Sequence, residues 1–322
     1  MGYSNIQFTS GTTFLVTGGA GFIGSNLCEA ITKMGYQVRC LDNFSTGKKK
    51  NISEFHEYSN FELFEGDIRN YDTCLLACKD IDFVLHQAAW GSVPRSIEMP
   101  LLYEDINVKG TLNMLEAARQ CNVIKFVYAS SSSVYGDNLD LPKREGNEGK
   151  PLSPYALTKQ INEDYAALYT NMYGLETYGL RYFNVFGKRQ NPDGPYAAVI
   201  PKFIFSLLQD EAPIIFGNGI QSRDFTFIDN VVEANLKACM APSEYSGQSF
   251  NIAYGRQTSL LSVYDTICKL LNKNINPIYA YERIGEIKHS YADITKANNV
   301  FGYSPEYGIN DGIQIYVDWC RG

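Results

Sequence analysis

Tyr155 and Lys159 stand four residues apart, just after Ser153-Pro154, a pair of the kind that opens a helix. On a helix that spacing sends both side chains out from one face, so a phenol and an ammonium share one site. A neighbouring positive charge favours the phenolate, and Tyr155 is therefore expected to have its pKa lowered enough to act as a base near neutrality. The spacing carries little by itself, because the chain has 23 tyrosines. Its context is the cluster Ala129-Ser130-Ser131-Ser132-Ser133-Val134-Tyr135-Gly136, which closes an apolar run with hydroxyls. Ligands of open α/β sheets bind at the carboxyl ends of strands, and a serine there, Ser131, can bridge a substrate hydroxyl to Tyr155.

Those groups need a frame, and the first half of the chain supplies one. Apolar runs predict strands near 13–17, 37–41, 61–65, 82–86 and 124–130, with helical spacing near 22–35, 70–80, 100–121 and 154–174. Such alternation makes a doubly wound parallel sheet, an α/β fold of Rossmann type. The first strand breaks into Gly18-Gly19-Ala20-Gly21-Phe22-Ile23-Gly24. Gly18 can take a tight turn, Gly21 leaves room for a pyrophosphate, and Gly24 lets the following helix pack closely, with its N-terminal amides facing the anion. The second strand leads to Asp42, 18 positions after Gly24. A carboxylate there accepts both adenosine ribose hydroxyls and repels a 2′-phosphate, so NAD is expected rather than NADP. Lys159 is then placed to hold the nicotinamide ribose, and the positive nicotinamide ring is expected to act with the ammonium in lowering the Tyr155 phenol.

From Asn184 onward glycines and prolines break the pattern into short pieces. We therefore expect residues 1–185 to bind the dinucleotide, with a return to that domain near 225–254, where Asp229 opens a helix and Phe250-Asn251-Ile252 reads as a strand. Residues 186–322 are left to form a smaller substrate-binding α/β region. At 322 residues the chain can enclose a sizeable core. A net charge of −7 speaks against nucleic acid as a partner. No apolar run approaches the ~20 residues of a membrane span, and the N-terminus lacks an export signal, so a cytoplasmic protein without a membrane partner is expected. The eight cysteines read as reduced structural thiols, and His56, His86 and His289 give no ligand spacing with Cys74 and Cys78, so no metal is expected.

Read together, the segments 17–24, 42–47, Gly66-Asp67-Ile68, His86-Gln87-Ala88-Ala89, Asn107-Val108-Lys109-Gly110-Thr111, the serine cluster, Tyr155 to Lys159 and Arg181-Tyr182-Phe183-Asn184-Val185-Phe186-Gly187 resemble the extended short-chain dehydrogenases/reductases of the nucleotide-sugar epimerase and dehydratase group. The resemblance spans nearly the whole chain. It implies NAD contacts from Gly18, Gly21, Phe22, Ile23, Gly24, Asp42, Asn43, Ser45, Thr46, Gly47, Asp67, Ile68, Gln87, Ala88, Ala89, Asn107, Tyr155, Lys159 and Tyr182. Ser131, Tyr155 and Lys159 are implied as the catalytic residues. A homodimer through helices 100–121 and 154–174 is implied as well.

Within the group, dehydratases carry Thr-Asp-Glu and decarboxylases Thr-Ser-Glu where this chain has Ser131-Ser132-Ser133. Loss of water needs an acid and a base that serine hydroxyls cannot supply, whereas C4 epimerisation needs neither. For the UDP-sugar, the resemblance implies contacts from Gly91, Ser92, Ser131, Ser132, Ser133, Tyr155, Asn184, Gln190, Ala198, Val199, Arg223, Arg283, Glu286 and Ser290. Arg223 and Arg283 resemble diphosphate-binding arginines, whose guanidinium forks suit phosphate. Glu286 replaces the usual aspartate against the uridine ribose. Ser290 falls at a gatekeeper position, where serine leaves volume for an N-acetyl group and tyrosine does not, and Ala198 opens the pocket further. Trp90 stands where a smaller apolar residue is usual. The branch resembled is UDP-N-acetylglucosamine 4-epimerase. The plain UDP-glucose substrate and the matching uronic acid, with Arg95 as its carboxylate partner, stay as rivals, and a non-catalytic NAD-sensing module is the reading from another class.

Overall fold

The computed structural model describes residues 3, 5–193, 197–281 and 288–322; Arg283 and Glu286 lie outside the described residues. In the first strand, β1 (Thr13–Thr17), Phe14 and Val16 enter one core layer and Leu15 the other, all fully buried. Successive side chains of a strand leave opposite faces, so a strand apolar on both belongs inside a sheet covered on both sides. The other strands are β2 (Gln37–Asp42), β3 (Phe61–Glu65), β4 (Phe83–His86), β5 (Lys125–Ser131), β6 (Glu176–Tyr182) and the edge strand Gln248–Ile252. They form one seven-stranded sheet in the order Gln248–Ile252, β6, β5, β4, β1, β2, β3, and every neighbouring pair is parallel. The order reverses between β1 and β4. At that switch point neighbouring connections leave for opposite faces, and a crevice opens at the carboxyl ends.

One face of the sheet is covered by the helices Phe22–Lys33 and Ile228–Ala238, whose Leu27, Ile31, Val231 and Leu236 join the core of Phe14 and Val16. The other is covered by Tyr71–Cys78, Gly110–Gln120 and Pro154–Tyr173, which bring Cys74, Met114, Leu115 and Ala166 to Leu15. The chain does return to the sheet, as the strand Gln248–Ile252 beside β6. The glycine- and proline-rich remainder makes small strand pairs, among them Val185–Phe186 with Thr226–Phe227 and Ser222–Arg223 with Thr258–Ser259. All eight cysteines are unpaired thiols. No described helix is long and apolar enough to cross a membrane.

One expected element differs. Helical spacing over 100–121 predicts a single helix, but the chain forms Pro100–Tyr103, a wide π-type turn over Glu104–Lys109, and then Gly110–Gln120. The extra residue of a π turn shifts the helical register locally. Here Asn107 is fully buried, its Oδ1 accepting from the Trp90 amide at 2.9 Å and its Nδ2 donating to the Trp90 carbonyl at 3.1 Å and to Thr158 Oγ1 at 3.2 Å. A buried amide with every polar atom engaged holds the turn after β4 against the helix that carries Tyr155.

Candidate active site

A cavity of about 610 Å³ opens at the carboxyl ends of the strands. It is lined by Gly18 and Gly21 to Gly24 after β1, by Asp42, Asn43, Ser45 and Thr46 after β2, and by Gln87 to Gly91 after β4. Ala129 to Ser132, Tyr155, Lys159, Tyr182 and Asn184 complete the other end. The glycines are there for measurable reasons. Gly18 has a φ of +65°, and a Cβ on it would lie 2.8 Å from the Ala88 amide nitrogen. A Cβ on Gly24 would sit 2.2 Å from the Gly18 carbonyl oxygen, so only glycine lets helix and turn touch. Gly21 is the extended residue before the helix Phe22–Lys33, whose first amides have no intrahelical acceptors and border the cavity. This cradle fits the pyrophosphate of a dinucleotide.

Asp42 is buried at the end of β2, its Oδ2 accepting from the Ala20 amide at 2.9 Å and its Oδ1 from the Phe44 amide at 2.8 Å. Burial raises its pKa while these two amides oppose the rise. Gly47 does not line the cavity but makes room for this carboxylate, since a Cβ there would lie 2.8 Å from both of its oxygens. Asn43 donates to Asp67 at 2.8 Å, and Asp67 is gripped at 2.6 Å by Arg69, which holds its carboxyl down at about 2. Arg69 also lines the cavity and sequence reasoning passed over it, although it directly follows Asp67-Ile68. Gln87, Tyr182 and Asn235 close a ring of hydrogen bonds: the Tyr182 hydroxyl to Gln87 Oε1 at 3.0 Å, Gln87 Nε2 to Asn235 Oδ1 at 3.0 Å, and Asn235 Nδ2 to Tyr182 Oη at 2.9 Å. Asn235 carried no sequence signal. Asn107, expected at the cofactor, stays behind the wall as the clamp on Trp90.

Ser153 caps the helix Pro154–Tyr173 by accepting from the Ala156 amide, and Pro154 occupies its first turn. That start places Tyr155 and Lys159 on the cavity as their spacing requires. Lys159 is buried, and its Nζ donates to the Ala129 carbonyl at 2.7 Å. Burial pulls its pKa down to about 8, with Glu163 opposing. In the chain without its cofactor, Tyr155 is not lowered. Desolvation raises its pKa, the Ser131 hydroxyl partly offsets this, and Lys159 is not among the groups that move it. The Lys159 ammonium is committed to the end of β5 instead, and the phenol is lowered in this structure by a hydroxyl alone. His86 is held neutral, pushed down to about 3 by burial and by Lys159. Thr17 Oγ1 accepts from the Ala88 amide at 3.2 Å and pairs with His86 Nδ1 at 2.8 Å, and His86 Nε2 pairs with Thr111 Oγ1 at 3.0 Å.

On the substrate side, Gly91, Ser131, Ser132 and Asn184 line the cavity with Tyr155. A Cβ on Gly91 would meet nothing nearer than the Tyr155 hydroxyl at 3.9 Å, so that glycine leaves the phenol approachable. Ser92, Ser133, Gln190, Ala198, Val199, Arg223 and Ser290 are not part of that lining. Ser92 caps the helix Val93–Glu98, and Gln190 Nε2 donates to the Val185 carbonyl at 2.9 Å. Arg223 donates to the Ser222 and Lys288 carbonyls at 2.9 and 3.1 Å, while the Ser290 amide donates to the Ser222 carbonyl at 3.2 Å. These bonds tie segment 288–293 to the strand Ser222–Arg223. Asp224, which directly follows Arg223 in the chain, is the fully buried hub of this region: it accepts from the amides of Tyr254 and Gly255 at 3.0 Å and of Ala292 at 3.2 Å, and burial pushes it up to about 6. Trp90 carries the Arg95 guanidinium 3.9 Å above its ring and meets Tyr103 edge-on, and Tyr103 in turn meets Tyr155.

Residues 14–253 match the model of the NAD dependent epimerase/dehydratase family. A putative UDP-glucose 4-epimerase of Methanocaldococcus jannaschii is 41% identical over 308 residues, 95% of this chain and 98% of that protein. A UDP-N-acetylglucosamine 4-epimerase from Methanobrevibacter ruminantium, solved in complex with UDP-N-acetylmuramic acid, superposes with a TM-score of 0.92 at 36% identity, covering 97% of this chain and 98% of that one. A UDP-glucuronic acid 4-epimerase from Bacillus cereus, solved with UDP-glucuronic acid and NAD, gives a TM-score of 0.88 at 34% identity over 96% of this chain and 99% of that one. With the glycine cradle, the acidic end of β2 and the tyrosine, lysine and serine on one cavity, these likenesses establish that the chain belongs to the NAD dependent epimerase/dehydratase family, as a homologue of its UDP-sugar 4-epimerases.

Proposed function

We propose that this chain interconverts UDP-N-acetylglucosamine and UDP-N-acetylgalactosamine by inversion at C4. The observation that carries the chemistry is the end of the cavity formed by Ser131, Ser132, Tyr155 and Lys159, where the serine cluster offers hydroxyls and no carboxyl group. A site so equipped takes a proton from a hydroxyl and returns it, and has no acid able to expel water from a sugar. NAD, when bound, supplies the acceptor and donor of the two electrons that inversion through a 4-keto sugar requires. Tyr155 removes the C4-hydroxyl proton with Ser131 on the same cavity, and Lys159, anchored to the Ala129 carbonyl at the end of β5, would hold the cofactor's ribose. Asn184, on the rim, and Arg223 are the candidates to hold the UDP while the sugar turns over. The N-acetyl preference is supported by the small side chains of Ala198 and Ser290 and by the likeness to a UDP-N-acetylglucosamine 4-epimerase.

The test is incubation of the purified protein, without added NAD, with UDP-N-acetylglucosamine, UDP-glucose and UDP-N-acetylglucosaminuronate separately. Fastest inversion is expected with the first, and faster turnover of either other sugar would replace the substrate assignment. In Ser290→Tyr, an aromatic ring in the space proposed for the N-acetyl group should depress UDP-N-acetylglucosamine turnover at least ~10-fold while UDP-glucose turnover persists or rises, a discrimination by excluded volume alone. Equal loss on both sugars, with NAD content and melting temperature unchanged, would remove Ser290 as the gate.

A second copy is the partner we propose for the helix pair Pro100–Tyr103 with Gly110–Gln120 and Pro154–Tyr173. Leu101 is 85% exposed, and Leu157, Leu168, Met172 and Tyr173 are exposed along the longer helix. Apolar residues at that density on one helix are an interaction surface in waiting. Light scattering at micromolar concentration should give the mass of a dimer, and a monomer would overturn it.

A further inference from the structure

We propose that Ser133 is a positioning residue for proton transfer, filling the acceptor side of Ser131 Oγ so that Ser131 can act on Tyr155 only as a hydrogen-bond donor. The inference rests on the reading of Tyr155 as the base. Ser133 does not line the cavity. It sits in the short turn Ser132–Tyr135 that Ser131 caps, with its amide donating to Ser131 Oγ at 3.2 Å and its hydroxyl donating to the same oxygen at 3.0 Å. A serine hydroxyl has one proton and two acceptor pairs. Both acceptor positions are therefore taken by one residue, which leaves the remaining proton for the Tyr155 phenol on the same cavity, where the Ser131 hydroxyl lowers it.

This direction of bonding separates two mechanisms that the sequence left open. A relay through Ser131 needs its oxygen to accept the substrate's proton, and that oxygen is already occupied. Direct transfer needs only that Ser131 keep donating to the phenolate: the O–H bond at C4 of the sugar breaks, an O–H bond forms on Tyr155 Oη, and no proton is gained or lost by serine. Two donors on one hydroxyl also polarise it, which strengthens its own bond to the phenolate. Ser133 thereby lowers the phenol against the desolvation that raises it.

The other groups around the phenol are fixed in kind. Tyr103 faces it edge-on from the helix Pro100–Tyr103, Arg95 is stacked on Trp90, His86 is neutral, and Lys159, brought to about 8, is turned to the Ala129 carbonyl. All of them are common to the parent and its variants.

The experiment is the pH profile of kcat for the NAD-loaded enzyme on the sugar it turns over fastest. Ser133→Ala should move the acid limb upward by about half to one pH unit, a loss of roughly three- to tenfold at neutral pH that recovers at higher pH. KM and NAD content should hold, and Ser133→Thr, which keeps the hydroxyl, should restore the parental limb. A parental limb in Ser133→Ala overturns the proposal, and so does a loss that is uniform across pH, which is the mark of a packing defect. Should the alanine variant not fold, Ser133→Cys, a weak donor, must shift the limb in the same direction or the proposal fails. Tyr155→Phe, run alongside, separates the two readings: retained activity there removes the base itself, whatever Ser133 does.

Discussion

Replacing Tyr155 with phenylalanine should lower kcat by about 10²–10⁴-fold, the scale of a positioned general base. The change deletes one oxygen and leaves the ring that meets Tyr103 at 6.3 Å. NAD content and melting temperature should stay close to the parent's, because the glycine cradle after β1 and the Asp42 carboxylate at the end of β2 lie on elements other than the helix of Tyr155. The phenol carries a raised pKa in this structure, through burial that the Ser131 hydroxyl only partly offsets. Turnover should accordingly climb through the neutral range as pH rises, where the fraction of phenolate grows, and the positive ring of bound NAD would bring the limb lower. Near-parental turnover in a folded, NAD-loaded Tyr155→Phe would falsify the assignment.

Lys159→Met should have two effects of opposite sign. Turnover should fall about 10²-fold, since a preorganised charged donor is lost from the cavity. The NAD-free protein, by contrast, should become more stable at pH 7. Burial brings the Lys159 pKa from 10.5 to about 8, a cost of the charged form worth ~3 kcal/mol at most. Methionine removes that cost and leaves the Ala129 carbonyl without its donor, a loss of ~1 kcal/mol.

The sign with pH follows from linkage. A lysine whose folded pKa lies below its unfolded value loses its proton in the folded chain first, so the penalty is complete below about 8 and fades between about 8 and 10.5. The advantage of Lys159→Met, read as a difference of denaturation free energies, should therefore shrink from pH 7 toward pH 10. Buried thiols such as Cys74 and Cys239 are pushed up by burial and weaken both proteins alike in that range, which is why the difference is the informative quantity. A difference that grows with pH would show that the Lys159 charge is not a burden in the folded chain.

Chain-local rules were enough to read most of the architecture. The continuous apolar run of β1, the glycines after it, the serine-proline start at Ser153 and the left-handed Gly174 at the end of that helix are each decided within a few residues, by sterics, capping and burial. The four-residue spacing of Tyr155 and Lys159 likewise fixes that they share a face. Where the chain turns back on itself, the residues alone were silent. The π turn at Asn107 exists because two backbone groups of Trp90 and a hydroxyl of Thr158 await that amide, and none of the three is within ten positions of it in sequence. Asn235 completes its ring with Gln87 and Tyr182 from a helix on the far side of the sheet, and Asp224 gathers amides from two loops. The direction of the Tyr155 shift in the chain without its cofactor is decided in the same way. Spacing places an ammonium near a phenol, but desolvation and the bond to the Ala129 carbonyl are set by everything packed around them, and at this site those tertiary terms outweigh the local one.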